Sequence, residues 1–184
     1  MSDGLNGVNV EQLVGTINAI KDQGDIAKFQ FRATTDWVTG GQCETKIQSF
    51  YGAGQEDTSR DKPFVLAGDE PPVLLGANKA ANAVEVILHA LASCLSVGFA
   101  YNAAAQGIKL ESLAFSLEGD IDLHGFLGMS ETIRPGFENI RVKVAVKSDA
   151  PKEKVEALCE HVKKTSPVLD IITKPVPVEI SLEA

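Results

Sequence analysis

An α+β fold with antiparallel sheets packed on helices is what this chain predicts, because segments of period-two alternation bracket one long apolar helix and precede a second, amphipathic one. The apolar run, Ala83 to Ala105, reads AVEVILHALASCLSVGFAYNAAA. With Ala, Ser and Gly on every side it lets neighbours come close, so it reads as a long buried central helix. At 184 residues the chain is sized for one core with a short extra element before it. Residues 1–26 read as an N-terminal helical extension and residues 27–184 as the domain proper.

In the extension, Val10, Leu13, Val14, Ile17 and Ile20 recur at helical spacing between Asn9 and Asp22, and Gly24 ends the pattern. From Ala27 the period becomes two: Phe29, Phe31 and Ala33 alternate with Lys28, Gln30 and Arg32, as in a strand with one covered face. Gly40-Gly41 supplies the positive φ of a tight turn into a second strand, Gln42 to Tyr51. Gly52 to Lys62 reads as a loop, and Pro63 to Ala67 as a third strand before the turn-rich GDEPP.

The central helix has a marked start, with Asn82 as cap and Glu85 three residues on as its reciprocal partner, and Gly107 ends it. Leu113, Phe115 and Leu117 then alternate in one strand, and Ile140, Val142, Val144 and Val146 in another. The intervening HGFLGMSETIRPGF is too rich in Gly and Pro for a regular element. A helix from about Pro151 carries the stripe Val155, Leu158, Cys159 and Val162, and Pro167 stops it. Val176, Val178, Ile180 and Leu182 alternate in a last strand, which Pro175 and Pro177 place at a sheet edge.

Composition excludes several functions. A net charge of -8 and no long basic block leave nothing to offset phosphate repulsion, so nucleic acid is not an expected partner. Three scattered cysteines, Cys43, Cys94 and Cys159, suit a reducing cytoplasm better than a disulfide framework, and MSDGLNG has no leader pattern. Val86 to Tyr101 is shorter than the roughly 20 residues of a membrane span and includes His89, so no membrane is expected. No Cys or His pair has ligand spacing and no Gly-rich phosphate loop is present, so neither metal nor cofactor is expected.

Cys94, near the middle of the apolar run, is the candidate reactive group. On an ideal helix it shares a face with Ile87, Ala90, Leu91, Val97, Gly98 and Tyr101. The row Glu85, His89, Ser93 points outward in parallel and cannot converge as a triad, so His89 reads as an interior or interface histidine. Activation of Cys94 therefore needs help from elsewhere, an arginine or a second subunit. Arg32 and Arg141 sit on polar strand faces, whereas Arg60 and Arg134 lie on loops able to fold over a pocket. Cys159 reads as core, and Cys43 as a partly exposed strand residue.

The stretch NAVEVILHALASCLSVGFAYNAAAQG, with ESLAFSLEGDIDLHGFLG after it, resembles the OsmC and organic hydroperoxide resistance family over roughly Ala27 to Leu182. The resemblance implies an OsmC-like fold, an intertwined homodimer with its thiols near the subunit boundary, cytoplasmic location and reduction of organic hydroperoxides by Cys94. Ser166-Pro167 falls where many members have Cys-Pro, so Ser166 occupies the position of the resolving cysteine. Where peroxidases of the family have a glutamate this chain has Val84, with Glu85 one step along, and TGGQC offers Gln42 and Cys43 where an arginine is often found. The expected activity is thiol-dependent reduction of organic hydroperoxides at Cys94 with an external thiol reductant, Glu85, Arg60 and Arg134 being the candidate helpers. The alternative is a non-catalytic dimer of the same fold that binds a small hydrophobic molecule or senses thiol-reactive ones.

Overall fold

The computed structural model describes residues 4–183, and its elements follow the local chemistry of the chain. They fall into two compact units, one made of the residues up to Val10 together with those from Leu88 onward, the other of Glu11–Ile87.

In the Glu11–Ile87 unit, the helical spacing of the N-terminal apolar residues gives α1, Val10–Asp22, in which Val14 and Ile17 stay exposed. A three-stranded antiparallel sheet follows, of β1 (Thr34–Thr39), β2 (Gln42–Ile47) and β5 (Phe64–Gly68), with β2 in the middle. Gly40 makes the turn between β1 and β2 at φ 53°. A separate hairpin pairs β3 (Phe50–Gly52) with β4 (Gln55–Asp57) through Ala53 and Gly54, both at positive φ.

Three expectations are corrected here. The alternating Phe29 to Ala33 stretch forms no regular strand: it makes a single bridge, Gln30 to Tyr51, and β1 starts at Thr34. Phe29 and Phe31 stack with Phe50 instead, and ring packing accounts for the apolar alternation. The second strand breaks at Gln48-Ser49, and the supposed loop after it contains β4.

In the other unit, helix α2 (Ala83–Ala105), which begins in the first, runs for 23 residues and buries one stripe, Leu91, Leu95, Phe99 and Ala103, spaced by four. Val97 and Tyr101, on another face, are exposed, so burial in the single chain is one-sided rather than all round. By length and composition α2 could cross a bilayer, which the shorter run read from the sequence could not, but its buried stripe is committed to protein. Gly107, at φ 70°, turns the chain out of α2 while the Ile108 N–H closes back on the Ala103 carbonyl.

The strands β6 (Leu110–Asp120) and β7 (Asn139–Ser148) form an antiparallel pair in which Leu113, Phe115 and Leu117 stand opposite Val146, Val144 and Val142. This apolar face packs on the α2 stripe together with Leu158 and Val162 of α4 (Lys152–Thr165). Arg141 holds Glu118 and Asp120 on the opposite, polar face. Asn6 ties the chain's beginning to this unit, donating to the Ile108 carbonyl and accepting from the Leu110 N–H, each at 2.9 Å.

Further departures concern the connections. The Gly-rich stretch after β6 contains a one-turn helix, α3 (Leu123–Phe126), because Asp122 caps it through the His124 N–H. Pro167 ends α4 but also opens a new helix, α5 (Pro167–Thr173), where its lack of an N–H costs nothing. The alternating C-terminal segment forms no strand: Val178, Ile180 and Leu182 are 75%, 94% and 96% exposed. A strand is defined by its pairing, and none of the described residues pairs with it.

Candidate active site

Cys94 lies near the middle of α2, where Gly98 one turn on lets α4 come close: a Cβ at Gly98 would stand 2.9 Å from Val162 Cγ1. Beside this approach the two helices and the entry to α5 line an open cavity of about 580 Å³. From α2 come Ser93, Cys94, Val97, Gly98, Tyr101 and Asn102, from α4 His161, Val162 and Thr165, and then Ser166 and Pro167. The helical face read from the sequence thus lines a real space with Val97, Gly98 and Tyr101 beside Cys94. Its wall carries hydroxyl, amide, imidazole and thiol groups but no Lys, Arg, Asp or Glu.

Ser166 comes to this site because Pro167 forces a break between two helices, and the residue before a proline favours extended backbone. Its φ of -75° and ψ of 113° make it the N-cap of α5, with Oγ accepting from the Leu169 N–H at 3.2 Å. In that pose Oγ is 3.1 Å from Cys94 Sγ, and Ser166 is only 5% exposed.

The other candidates are placed as follows. Glu85 and Asn82 cap α2 reciprocally, within the Glu11–Ile87 unit. Arg60, in the same unit, donates to the Gln48 carbonyl at 2.9 Å and lies over the Phe50 and Phe64 rings at 5.2 and 5.1 Å. Arg134 is exposed on the α3–β7 connection. Arg134, of the same unit as Cys94, is not among the residues lining its cavity. Arg32 is a two-pronged partner of Glu56, which draws the Glu56 carboxyl below its ordinary range. His89 is exposed, its ring nitrogen 3.5 Å from Ser93 Oγ, so it is not interior in the single chain. Cys159 packs against the core behind its helix, and all three cysteines are unpaired thiols.

A second cavity, of about 310 Å³, belongs to the Glu11–Ile87 unit and is lined by Cys43, Thr45, Asp69, Glu70 and apolar neighbours. Asp69, 2% exposed, accepts backbone N–H bonds from Lys79, Glu70 and Ala77, and these donors hold its carboxyl below the usual carboxylate range, the Lys79 bond most of all. It organises the loop before α2. Among the described residues no group of three or more His, Cys, Asp or Glu side chains could hold a metal ion.

Sequence reasoning missed His161, Thr165 and Asn102 as cavity residues. The available signal was Val162, a stripe residue whose helical neighbours turn toward whatever it packs on, combined with Gly98 as a place of close approach.

A model of the family described as OsmC-like protein matches residues 76–181, more than half of the chain. No curated protein matches it. Among solved structures, an OsmC-like protein from Mycoplasma pneumoniae is similar with a TM-score of 0.59 at 15% identity, over 79% of this chain and 89% of that one. An organic hydroperoxide resistance protein, OsmC, from Legionella pneumophila is similar with a TM-score of 0.54 at 19% identity, over 78% of this chain and 88% of that one. At such identities the likeness is one of fold.

Proposed function

Since the chain belongs to the OsmC-like protein family, we propose that it reduces organic hydroperoxides through Cys94, with an external thiol as reductant. The observation that carries this reading is the placement of Cys94 on the wall of an apolar-lined cavity of about 580 Å³, with a hydroxyl 3.1 Å from its sulfur. The name of the similar Legionella pneumophila protein points to the same substrate class.

In the proposed cycle the Cys94 thiolate attacks the distal oxygen of R–O–OH. The S–O bond forms as the O–O bond breaks, the alkoxide takes a proton to leave as R–OH, and Cys94 becomes a sulfenic acid. Ser166 holds no thiol, so a first external thiol displaces water to give a mixed disulfide. A second releases Cys94 and departs as the oxidised disulfide. A cytoplasmic setting, where thiols are kept reduced, belongs to this reading.

Val97, Gly98, Val162 and Pro167 favour bulky alkyl peroxides over hydrogen peroxide, since each buried methylene contributes about 0.8 kcal/mol. We also propose a homodimer. Val97 and Tyr101 beside the site, and Val178, Ile180 and Leu182 at the C-terminus, expose apolar surface that a second copy would cover.

The test measures consumption of cumene hydroperoxide by wild type and Cys94→Ser with monothiol and dithiol reductants. Turnover by wild type with both, and none by Cys94→Ser, supports the proposal. Equal consumption by Cys94→Ser overturns it. A wall on which no Lys, Arg, Asp or Glu is found among the described residues favours a second reading, a non-catalytic binder of small hydrophobic molecules. That reading gains if wild type consumes no peroxide while a hydrophobic ligand shields Cys94 from alkylation.

A further inference from the structure

The geometry points to Ser166 as the positioning residue that donates a hydrogen bond to the Cys94 thiolate, so that a hydroxyl readies the nucleophile. This rests on the proposed peroxidase reading and adds to it the group that readies the sulfur.

The direction of the bond follows from counting. A serine hydroxyl has one proton and two lone pairs. Ser166 Oγ accepts from the Leu169 N–H at 3.2 Å, which uses one lone pair and fixes the oxygen at the head of α5. The proton is then left to be placed in a site 5% exposed, where an unpartnered O–H is costly. Cys94 Sγ, at 3.1 Å, is the acceptor in reach among the described residues. A thiol is the weaker donor of the two groups, so the bond runs from oxygen to sulfur. An anionic sulfur accepts such a bond more strongly than a neutral one, so the contact favours the attacking form.

Pre-organisation strengthens the case. The Ser166 oxygen is held by its cap bond from the Leu169 N–H, so the hydroxyl need not move far when the proton leaves sulfur. His161 and Tyr101 are the titratable neighbours of Cys94 on the cavity wall, and the Ser166 hydroxyl is the sole side-chain hydrogen-bond partner of the sulfur among the described residues.

The experiment compares the rate at which iodoacetamide alkylates Cys94 at neutral pH, read peptide by peptide by mass spectrometry so that Cys43 and Cys159 do not interfere, in wild type, Ser166→Ala and Ser166→Thr. Thermal unfolding is followed in parallel, because alanine also removes the α5 cap. Loss of the donor slows alkylation about tenfold, as expected for a hydrogen bond to a charged group, and threonine restores it. A purely structural role predicts the opposite sign, since fraying of α5 would expose the sulfur and speed alkylation. An unchanged or faster rate in Ser166→Ala overturns the proposal. If Cys94→Ser still consumes peroxide while Ser166→Ala slows alkylation, the peroxidase reading falls and the hydrogen bond stands. If Cys94→Ser loses turnover while Ser166→Ala is alkylated at the wild-type rate, the peroxidase reading stands and the hydrogen bond falls.

Discussion

Asn82 and Glu85 hold each other across the first turn of α2: the Glu85 N–H donates to Asn82 Oδ1 and the Asn82 N–H to Glu85 Oε2, both at 2.9 Å. A carboxylate that accepts from a backbone donor contributes to stability as a cap. Glu85→Ala is expected to cost about 1 kcal/mol of stability through the lost cap. Glu85→Gln, which keeps an acceptor oxygen, should cost less. Denaturant midpoints check both. A fall of tenfold or more in peroxide turnover for the glutamine variant, with its midpoint unchanged, would give Glu85 a catalytic part that capping does not explain.

Gly98 of α2 faces Val162 of α4 at close range. Alanine in place of glycine gains about 1 kcal/mol of helix propensity. The new Cβ, however, would lie 2.9 Å from Val162 Cγ1, and Val162 is fully buried, so one of the two must give way. Overpacking costs roughly 1–3 kcal/mol, so Gly98→Ala is expected to be neutral to destabilising by about 2. Val162→Ala removes the obstructing methyl groups, and the double variant should be more stable than the two single losses add up to, by about 1 kcal/mol. Strict additivity in a double-mutant cycle would contradict the contact.

Asp69 ties the loop before α2 together as an ionised carboxylate. Its folded-state pKa lies below the unfolded one because the Lys79, Glu70 and Ala77 N–H groups stabilise the charged form. Its contribution is therefore present above the unfolded pKa of about 3.9 and is lost as pH falls through the lower folded value. Asp69→Asn should lower the urea midpoint at neutral pH, and the gap to wild type should close below about pH 4. A gap that stays constant down to about pH 2.5 would place the effect in something other than the charge.

The central helix, its cap, the strands β6 and β7 and the α4 stripe were legible in the sequence, because each rests on a short-range pattern of residues; that β6 pairs with β7 was not. Val155, Leu158, Cys159 and Val162 recur at the spacing of one helix face, and Leu158, Cys159 and Val162 pack into the core as that spacing requires. What could not be read locally was where Phe29, Phe31 and Phe50 would meet, since three rings stacking across about 20 residues leave the same alternation as a strand. At the site, Cys94 and its helix face were legible, but the meeting with Ser166 depends on a packing distance over 72 positions. The resemblance marked Ser166 as the position of a missing thiol. The fold adds that its hydroxyl is in contact.

That contact makes a sharp prediction for Ser166→Cys. With Oγ already 3.1 Å from Sγ, a thiol at position 166 needs only a small shift to reach bonding distance. One equivalent of organic hydroperoxide should then oxidise the variant to an intramolecular disulfide, with loss of two titratable thiols and a dithiol preferred as reductant. Wild type should lose one thiol and accept a dimedone label. A variant that still labels fully with dimedone would place the two side chains further apart in solution than in the structure.

The C-terminal segment gives the last prediction. Val178, Ile180 and Leu182 alternate as in a strand with one covered face, yet they are among the most exposed apolar residues of the described chain and nothing among the described residues pairs with their backbone. Apolar period two without a partner is costly in water, and in the proposed homodimer a second copy of the chain, taking this segment onto a sheet edge, would relieve both the apolar and the hydrogen-bonding deficit. Fully burying a side chain of this size is worth about 1.5–3 kcal/mol, and two-fold symmetry counts each substitution twice. Ile180→Lys with Leu182→Lys should therefore convert a dimer at micromolar concentration into monomer, read as the mass in light scattering. Because Val97 and Tyr101 at the cavity mouth would lose their cover at the same time, Cys94 alkylation should become faster in the monomer. A wild-type protein that is already monomeric, or a variant that remains a dimer, would show that these residues do not join two copies.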